Sequence, residues 1–275
     1  MFNQLLGDHI KTLFILFLTL HFFSAYAQEN ASEFFPRQSL FPKLYADGTA
    51  QQFSLSKDLL TRRFIGAIGG LQRIIQFRFY EYPIQTSLGA TVYATLYRKA
   101  DVVEVHTACF FVDLFFDIQF SENFILRTGY GHYSAHLVDD GVDKLQIKAI
   151  NYAKDYIPLI TAYRMGNPGL WLYGGFRFDT YTIPEKNKRW NLQFGIEGAD
   201  FLLSENIKLY GAVDFKFKSE ASWGSTQSYQ IGLKFFESFS NSLRFAYTYR
   251  TGLDDRGQFY KAHVKLSTLG LYFDF

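Results

Sequence analysis

Ile84–Tyr97 reads IQTSLGATVYATLY, and its apolar and polar or small residues alternate one by one. In an extended strand, Leu88 and Val92 therefore lie on one face and Gln85 lies on the other. Thr107–Phe120 (TACFFVDLFFDIQF) repeats the pattern, and both stretches are fourteen residues long, whereas strands of soluble sheets average about five or six. These features predict an all-β fold, a transmembrane antiparallel up-and-down β-barrel with lipid outside and a polar lumen.

The composition narrows the class of protein. Of 275 residues, 48% are hydrophobic and 19% aromatic, and 28 basic against 26 acidic residues leave a net charge of +2. This nearly neutral charge lacks the excess of basic residues that is typical of nucleic-acid-binding proteins. A mean hydropathy of −0.07 excludes a bundle of transmembrane helices. The single cysteine excludes an intramolecular disulfide. No motif for a metal or another cofactor is present, so none is expected.

The spacing of the alternating stretches gives the strand number. Strands are predicted near residues 62–80, 84–97, 106–120, 124–136, 145–165, 170–179, 189–203, 207–217, 225–236, 242–251 and 259–275. Because a closed bacterial barrel has an even strand number, a short strand over Gln52–Lys57 makes about twelve. The alternation slips near Asp155, which predicts a β-bulge. Short connections alternate with longer ones, which are expected at 98–104, 137–144, 180–188, 218–224 and 252–257.

Three segments are expected along the chain. Residues 1–27 combine Lys11, a short apolar run and small residues before Gln28, as in a cleavable signal peptide. Residues 28–50 show no period and are expected to form a periplasmic N-terminal segment, either a tail or a small plug. Residues 51–275 are expected to form the barrel. These features together predict export to the outer membrane of a Gram-negative bacterium.

The last strand predicts how the barrel is assembled. Leu271, Phe273 and Phe275 alternate with polar or small residues, and an aromatic residue ends the strand. This pattern is similar to the C-terminal signature that the barrel assembly machinery recognises in outer-membrane barrels. The expected partners are therefore this machinery and the lipids of the outer membrane, with an outer-membrane protein partner left open.

The polar face of the strands carries charges of both signs. The charged residues expected to face the lumen are Asp113, Asp117, Arg127, Arg177, Glu197, Asp214, Lys234 and Arg250. A selective pore usually uses a ring of one sign, whereas mixed charges favour a lumen filled by ion pairs. A narrow open channel remains the alternative.

Several segments resemble one bacterial family. Leu40–Pro42 (LFP), Ala46–Asp47, His132–Asp139 (HYSAHLVD) and Leu172–Gly175 (LYGG) are similar to stretches of the family called domain of unknown function 1207. Val138 departs from the pattern, since the family commonly has Gly there. The resemblance covers most of the expected mature chain. It implies an outer-membrane barrel and brings no established activity.

His132-Tyr133-Ser134 also resembles the catalytic His-x-Ser of outer-membrane phospholipases and lipid A deacylases. Residues two apart on a strand lie about 6.6 Å apart on one face, close enough for an imidazole to act as base for a hydroxyl. The hypothesis is that Ser134 is the nucleophile, His132 its base and Asn151 the residue that orients the imidazole. The alternative is that these are polar residues at the membrane interface. Three roles stay open: a structural or partner-binding barrel, a narrow channel and a lipid-directed serine hydrolase.

Overall fold

The structure, a computed structural model, describes residues 32–146, 148–166, 169–238 and 241–275. It is a closed, antiparallel β-barrel of twelve strands with one additional short strand at its edge. The strands are β1 (Glu33–Phe34), β2 (Phe53–Asp58), β3 (Arg63–Phe79), β4 (Tyr82–Lys99), β5 (Val102–Ser121), β6 (Phe124–Leu137), β7 (Tyr152–Met165), β8 (Leu170–Ile183), β9 (Trp190–Ser204), β10 (Ile207–Lys218), β11 (Gly224–Ser238), β12 (Asn241–Leu253) and β13 (His263–Asp274).

Each of the strands β3 to β12 is hydrogen-bonded to the next along the chain, and β2 closes the barrel between β13 and β3. The prediction of an all-β, up-and-down barrel of about twelve strands is thereby confirmed. The short strand expected over Gln52–Lys57 is β2. A register shift between Asp155 and Tyr156 confirms the predicted bulge. Among the described residues, no helix is long and apolar enough to cross a membrane.

The connections define two ends of the barrel. At the turn end, two-residue connections at 80–81, 122–123 and 205–206 join the strands. At the loop end, the longest connections are 138–151, which contains helix α1 (Asp139–Leu145), and 254–262. The longer loop expected at 98–104 is instead a turn of residues 100–101, because the flanking residues continue the ladder between β4 and β5. Charged residues within 98–104 can lie in strands because these strand ends extend beyond the apolar part of the barrel.

The two faces of the wall differ in polarity. The outward face carries large hydrophobic side chains that are more than a third exposed, whereas the inward face is mostly polar, charged or tyrosine. The outer belt consists of Leu88, Val92, Phe110, Val112, Leu114, Phe116, Ile157, Leu159, Phe176, Leu192, Phe194, Ile196, Tyr229, Ile231, Phe245, Tyr247, Leu269 and Leu271. The strand alternation therefore places apolar residues outside the barrel, the reverse of a soluble fold.

The segment before β2 lies inside the barrel. Phe41, Ala46 and Asp47 are buried, and the Gln85 side chain bonds the backbone of Gln38 and Leu40 from the wall. We call residues 36–52 the plug. The sequence left open whether the N-terminal segment is a tail or a small plug, and residues 36–52 of it lie against the inner face of the wall. The expected signal peptide, residues 1–27, lies outside the described residues.

The wall is incomplete beside β2. Because β2 is short, it pairs only with residues 64–67 of β3, and β1 pairs with residues 75–76 farther along the same edge. Within the described chain, the β3 edge between these two pairings has no strand partner. The Phe275 ring lies against Gly70 at this position. The barrel therefore has a notch near the turn end, bordered by its last residue.

Candidate functional site: the plugged lumen and an outward histidine cluster

Asp47 fixes the plug to the barrel wall. Its carboxylate forms an ion pair with Lys216 on β10 and accepts hydrogen bonds from Gln193 Nε2 (3.0 Å) and from the backbone N–H (2.7 Å) and Oγ1 (2.8 Å) of Thr49. Burial alone would raise the pKa of Asp47, but the charge and hydrogen bond of Lys216 outweigh it and the pKa lies below its usual range. The plug is thus held by a charged side chain.

Two aromatic residues of the plug are held by wall cations. The Arg127 guanidinium lies 4.1 Å from the centre of the Phe41 ring, and it forms a bidentate pair with Asp117 at 2.7 and 2.8 Å. The Tyr45 ring lies 4.3 Å from the Arg244 guanidinium and 4.5 Å from Lys234 Nζ. A cation over an aromatic face is attractive, more strongly where water is excluded. These contacts fix the plug along its length.

The connection between β12 and β13, residues 254–262, folds over the lumen at the loop end of the barrel. Asp255 is buried and lies 3.1 Å from Lys218 and 3.6 Å from Lys216. Gln258 Nε2 donates to the carbonyls of Ala135 and Ile150, each at 2.6 Å. Lys216 therefore contacts the plug through Asp47 and this loop through Asp255.

A second charged cluster connects the β10–β11 loop to the wall. Glu220 accepts hydrogen bonds from Lys154 Nζ (2.8 Å) and Tyr152 (2.9 Å) and pairs with Lys186, while Lys154 also binds Asp179 at 2.7 Å. Burial would raise the pKa of Glu220, but the two lysines lower it to about 2. This loop is therefore held to the wall by ion pairs.

Six of the eight charged residues expected in the lumen are buried: Asp113, Asp117, Arg127, Glu197, Asp214 and Lys234. Arg177 and Arg250 are partly buried. Lys234 forms an ion pair with Asp200 at 2.7 Å, and Asp214 accepts hydrogen bonds from Tyr173 and Gln193, both at 2.7 Å. Lys234 and Asp214 thus make specific contacts with other side chains of the wall.

The His-x-Ser residues lie on the outward face of β6. His132 is exposed and Ser134 is partly buried, whereas Tyr133 between them is buried inside. His132 Nδ1 lies 2.7 Å from Asp155 Oδ1, its register partner on β7. No hydrogen bond joins His132 to Ser134 in the part of the chain that the structure describes.

Asn151 does not take the position expected for it. It was expected to orient the imidazole of His132, but residues 138–151 form a longer connection than expected, so β7 begins at Tyr152. This shift of the register brings Asp155 opposite His132 and leaves Asn151 exposed before the strand. Strand alternation did not predict Asp155 as the partner of His132, because the alternation is interrupted at the bulge beside Asp155.

The C-terminal strand presents its aromatic residues outward. Leu271, Phe273 and Phe275 are about half exposed, and the Phe273 ring packs edge-on against Phe53 of β2 at 5.7 Å. No group of three or more metal-ligating side chains occurs within residues 32–146, 148–166, 169–238 and 241–275.

The sequence predicted the wall charges but not their plug partners. Phe41, Tyr45 and Asp47 lie in a segment without strand alternation, and their only signal was the family resemblance around them. Comparison with known proteins agrees with that resemblance: a family described as "Protein of unknown function (DUF1207)" matches residues 29–275. No curated protein matches the sequence. Since the match covers 247 of the 275 residues (275 − 29 + 1), the chain belongs to the DUF1207 family of proteins of unknown function.

Proposed function

We propose that this chain is an integral outer-membrane β-barrel protein whose lumen is closed by its own N-terminal plug, with a structural or partner-binding role. The observation that carries this proposal is the inverted polarity of the closed barrel, with large apolar residues outside and ion pairs inside. A belt of this kind in a water-soluble monomer would be an aggregation surface. In an outer membrane it contacts acyl chains.

Two sequence features support export and assembly. Residues 1–27 have the pattern of a signal peptide, and Leu271, Phe273 and Phe275 have the pattern recognised by the barrel assembly machinery. On this proposal, the turn end faces the periplasm and the loop end faces outward. The loops at 138–151 and 254–262 are then the surface available to an outer-membrane protein partner.

A closed lumen is favoured over a passive channel. Lys216 contacts the plug and the β12–β13 loop at the same time, so two parts of the chain meet inside the lumen at this lysine. Single-channel recording of the purified protein in planar lipid bilayers tests this. We expect no steady conductance, and a continuous ohmic current from a correctly folded protein would contradict a closed barrel.

A lipid-directed serine hydrolase is the second candidate, because of the contact between His132 and Asp155. Asp155 holds the Nδ1 side of the imidazole at 2.7 Å, which leaves Nε2 available to take a proton from Ser134 on the same face. Ser134 Oγ would attack an ester carbonyl of a lipid, form an acyl-enzyme and release the alcohol, which takes the proton back from His132. Water would then release the fatty acid by the same proton route.

Hydrolysis of phospholipid and of lipid A by the detergent-solubilised protein tests this candidate. If the chain is a hydrolase, fatty acid is released, Ser134→Ala abolishes the release, and Asp155→Asn reduces it strongly because an amide does not stabilise the imidazolium. Asn151→Ala is the matched control and should retain activity, since Asn151 is remote from the register of His132. No fatty acid release from either lipid, or release that persists in Ser134→Ala, would exclude the hydrolase.

A further inference from the structure

A cavity of about 160 Å³ lies inside the barrel between the plug and the wall. The plug residues Asp47 and Gln51 border it on one side, and the wall residues Tyr156, Arg177 and Asn191 border it on the other. Its volume exceeds that of a single water molecule, for which about 30 Å³ is typical. The cavity is therefore large enough for a small ligand.

Arg177 on β8 has unused hydrogen-bonding capacity in this cavity. Its guanidinium lies over the Tyr156 ring, 4.5 Å from the ring centre. Its Nε lies 3.4 Å from Asp179 Oδ1 but forms no hydrogen bond with it. The other oxygen of Asp179 is taken by Lys154 at 2.7 Å. Within the described residues, Arg177 thus donates no hydrogen bond. A partly buried arginine of this kind is rare, because its five donors normally find acceptors.

Arg177 has no carboxylate of its own in the described part of the chain. The cluster around Arg177 contains three cations, Arg177, Lys154 and Lys186, but only two carboxylates, Asp179 and Glu220. Three further carboxylates line the cavity and are engaged elsewhere, as Asp47 pairs with Lys216, Asp274 pairs with Arg244, and Asp113 accepts hydrogen bonds from Tyr156 (2.6 Å) and Gln51. Among the described residues, Arg177 therefore has only Asp179 within ion-pair distance and shares it with Lys154.

Asn191 on β9 is a second side chain at the cavity whose polar atoms lack hydrogen-bond partners within the ranges that the structure describes. It is the register partner of Arg177, it is 7% exposed, and neither its Nδ2 nor its Oδ1 has a hydrogen-bond partner among the residues described. Lys218 on β10 is the next residue in the same cross-strand row. A guanidinium and a buried amide donor side by side match the geometry of a carboxylate or phosphate group, which accepts two hydrogen bonds from an arginine fork.

We propose that this cavity binds a small ligand through an oxyanion group, a carboxylate or a phosphate, which accepts hydrogen bonds from Arg177 and from Asn191 Nδ2. Water alone would satisfy the amide, whereas a bound anion would also give the guanidinium a partner that it does not share with Lys154. The bound group would also contact the plug across the cavity, so ligand binding and plug position are linked. This site is independent of the His132 cluster, which lies on the outward face.

Calorimetric titration of the refolded full chain in detergent tests the proposal, with inorganic phosphate and acetate as separate probes and ionic strength fixed with chloride. The variants are Arg177→Gln, Arg177→Lys and Asn191→Leu. Arg78→Gln is the matched control, because Arg78 is exposed at the turn end. Heat-modifiable gel mobility and near-ultraviolet circular dichroism identify which variants fold.

We expect saturable binding of at least one oxyanion, one per chain, with a dissociation constant raised about tenfold or more by Arg177→Gln and less by Asn191→Leu. Arg177→Lys retains the charge and the fold but should also bind more weakly, because it lacks the guanidinium fork. Binding of phosphate alone or of acetate alone would assign the ligand class. Absence of binding for both, or affinity unchanged in folded Arg177→Lys and Arg177→Gln, would overturn the proposal.

Discussion

Replacing Lys216 with methionine is expected to release the plug. Lys216 is 12% exposed and contacts Asp47 of the plug, Asp214 of the wall and Asp255 of the β12–β13 loop. Removing one partner of a buried ion pair costs about 3–5 kcal/mol. Asp47 would retain its bonds to Gln193 and Thr49, so the cost should lie near the lower value.

A cost of about 3 kcal/mol corresponds to a shift of roughly 100-fold in the equilibrium between the closed and displaced plug. Single-channel recording of Lys216→Met should therefore show openings about 100 times more often than the wild type. Lys265→Met is the matched control, because Lys265 is an exposed lysine of β13. If folded Lys216→Met conducted no more than Lys265→Met, the plug would not depend on this contact and the reasoning would fail.

Three further perturbations test other contacts. Because the pKa of Glu220 is lowered to about 2 from 4.5, its ion pairs stabilise the fold above about pH 4.5 by roughly 3 kcal/mol. This contribution should fall away between about pH 4.5 and 2, and acid unfolding of Glu220→Gln should lack that dependence. Gly131→Ala would overlap the Tyr156 ring and should lower the free energy of unfolding in urea by about 1–3 kcal/mol, whereas Gly66→Ala, whose new Cβ would meet Leu96 Cδ1 only at 3.8 Å, should not. Phe194→Lys on the outer belt should weaken folding into liposomes by about 2–4 kcal/mol; a change within about 0.5 kcal/mol, typical of a water-exposed site, would contradict a lipid-facing position.

Strand alternation was sufficient to predict the barrel because each face of a strand meets one environment. Gln85, Asp113 and Glu197 alternate with apolar neighbours, and all three are buried inside. The short β2 was predicted from closure alone, since an up-and-down barrel needs an even strand number. The two-residue alternation was therefore predicted from the local sequence, and the number of strands followed once closure of the barrel was required.

The plug and the loop register could not be predicted in the same way. Asp47 contacts Lys216 across 169 positions of sequence, and no periodic pattern encodes a contact of that kind. Asp155 took the place expected for Asn151 because helix α1 and the residues after it lengthen the loop. Such features depend on packing inside the closed barrel, which only the folded chain specifies.

Quenching by lipids with brominated acyl chains tests most directly whether the outer belt contacts the membrane. In a Cys109→Ser background, a fluorophore on cysteine at Phe194 should be quenched in brominated liposomes, whereas one at the inward-facing neighbour Gln193 should not. Strong quenching at position 194 alone is the expected result. Equal quenching at both positions, or none at either in the reconstituted protein, would contradict a barrel whose apolar face meets lipid.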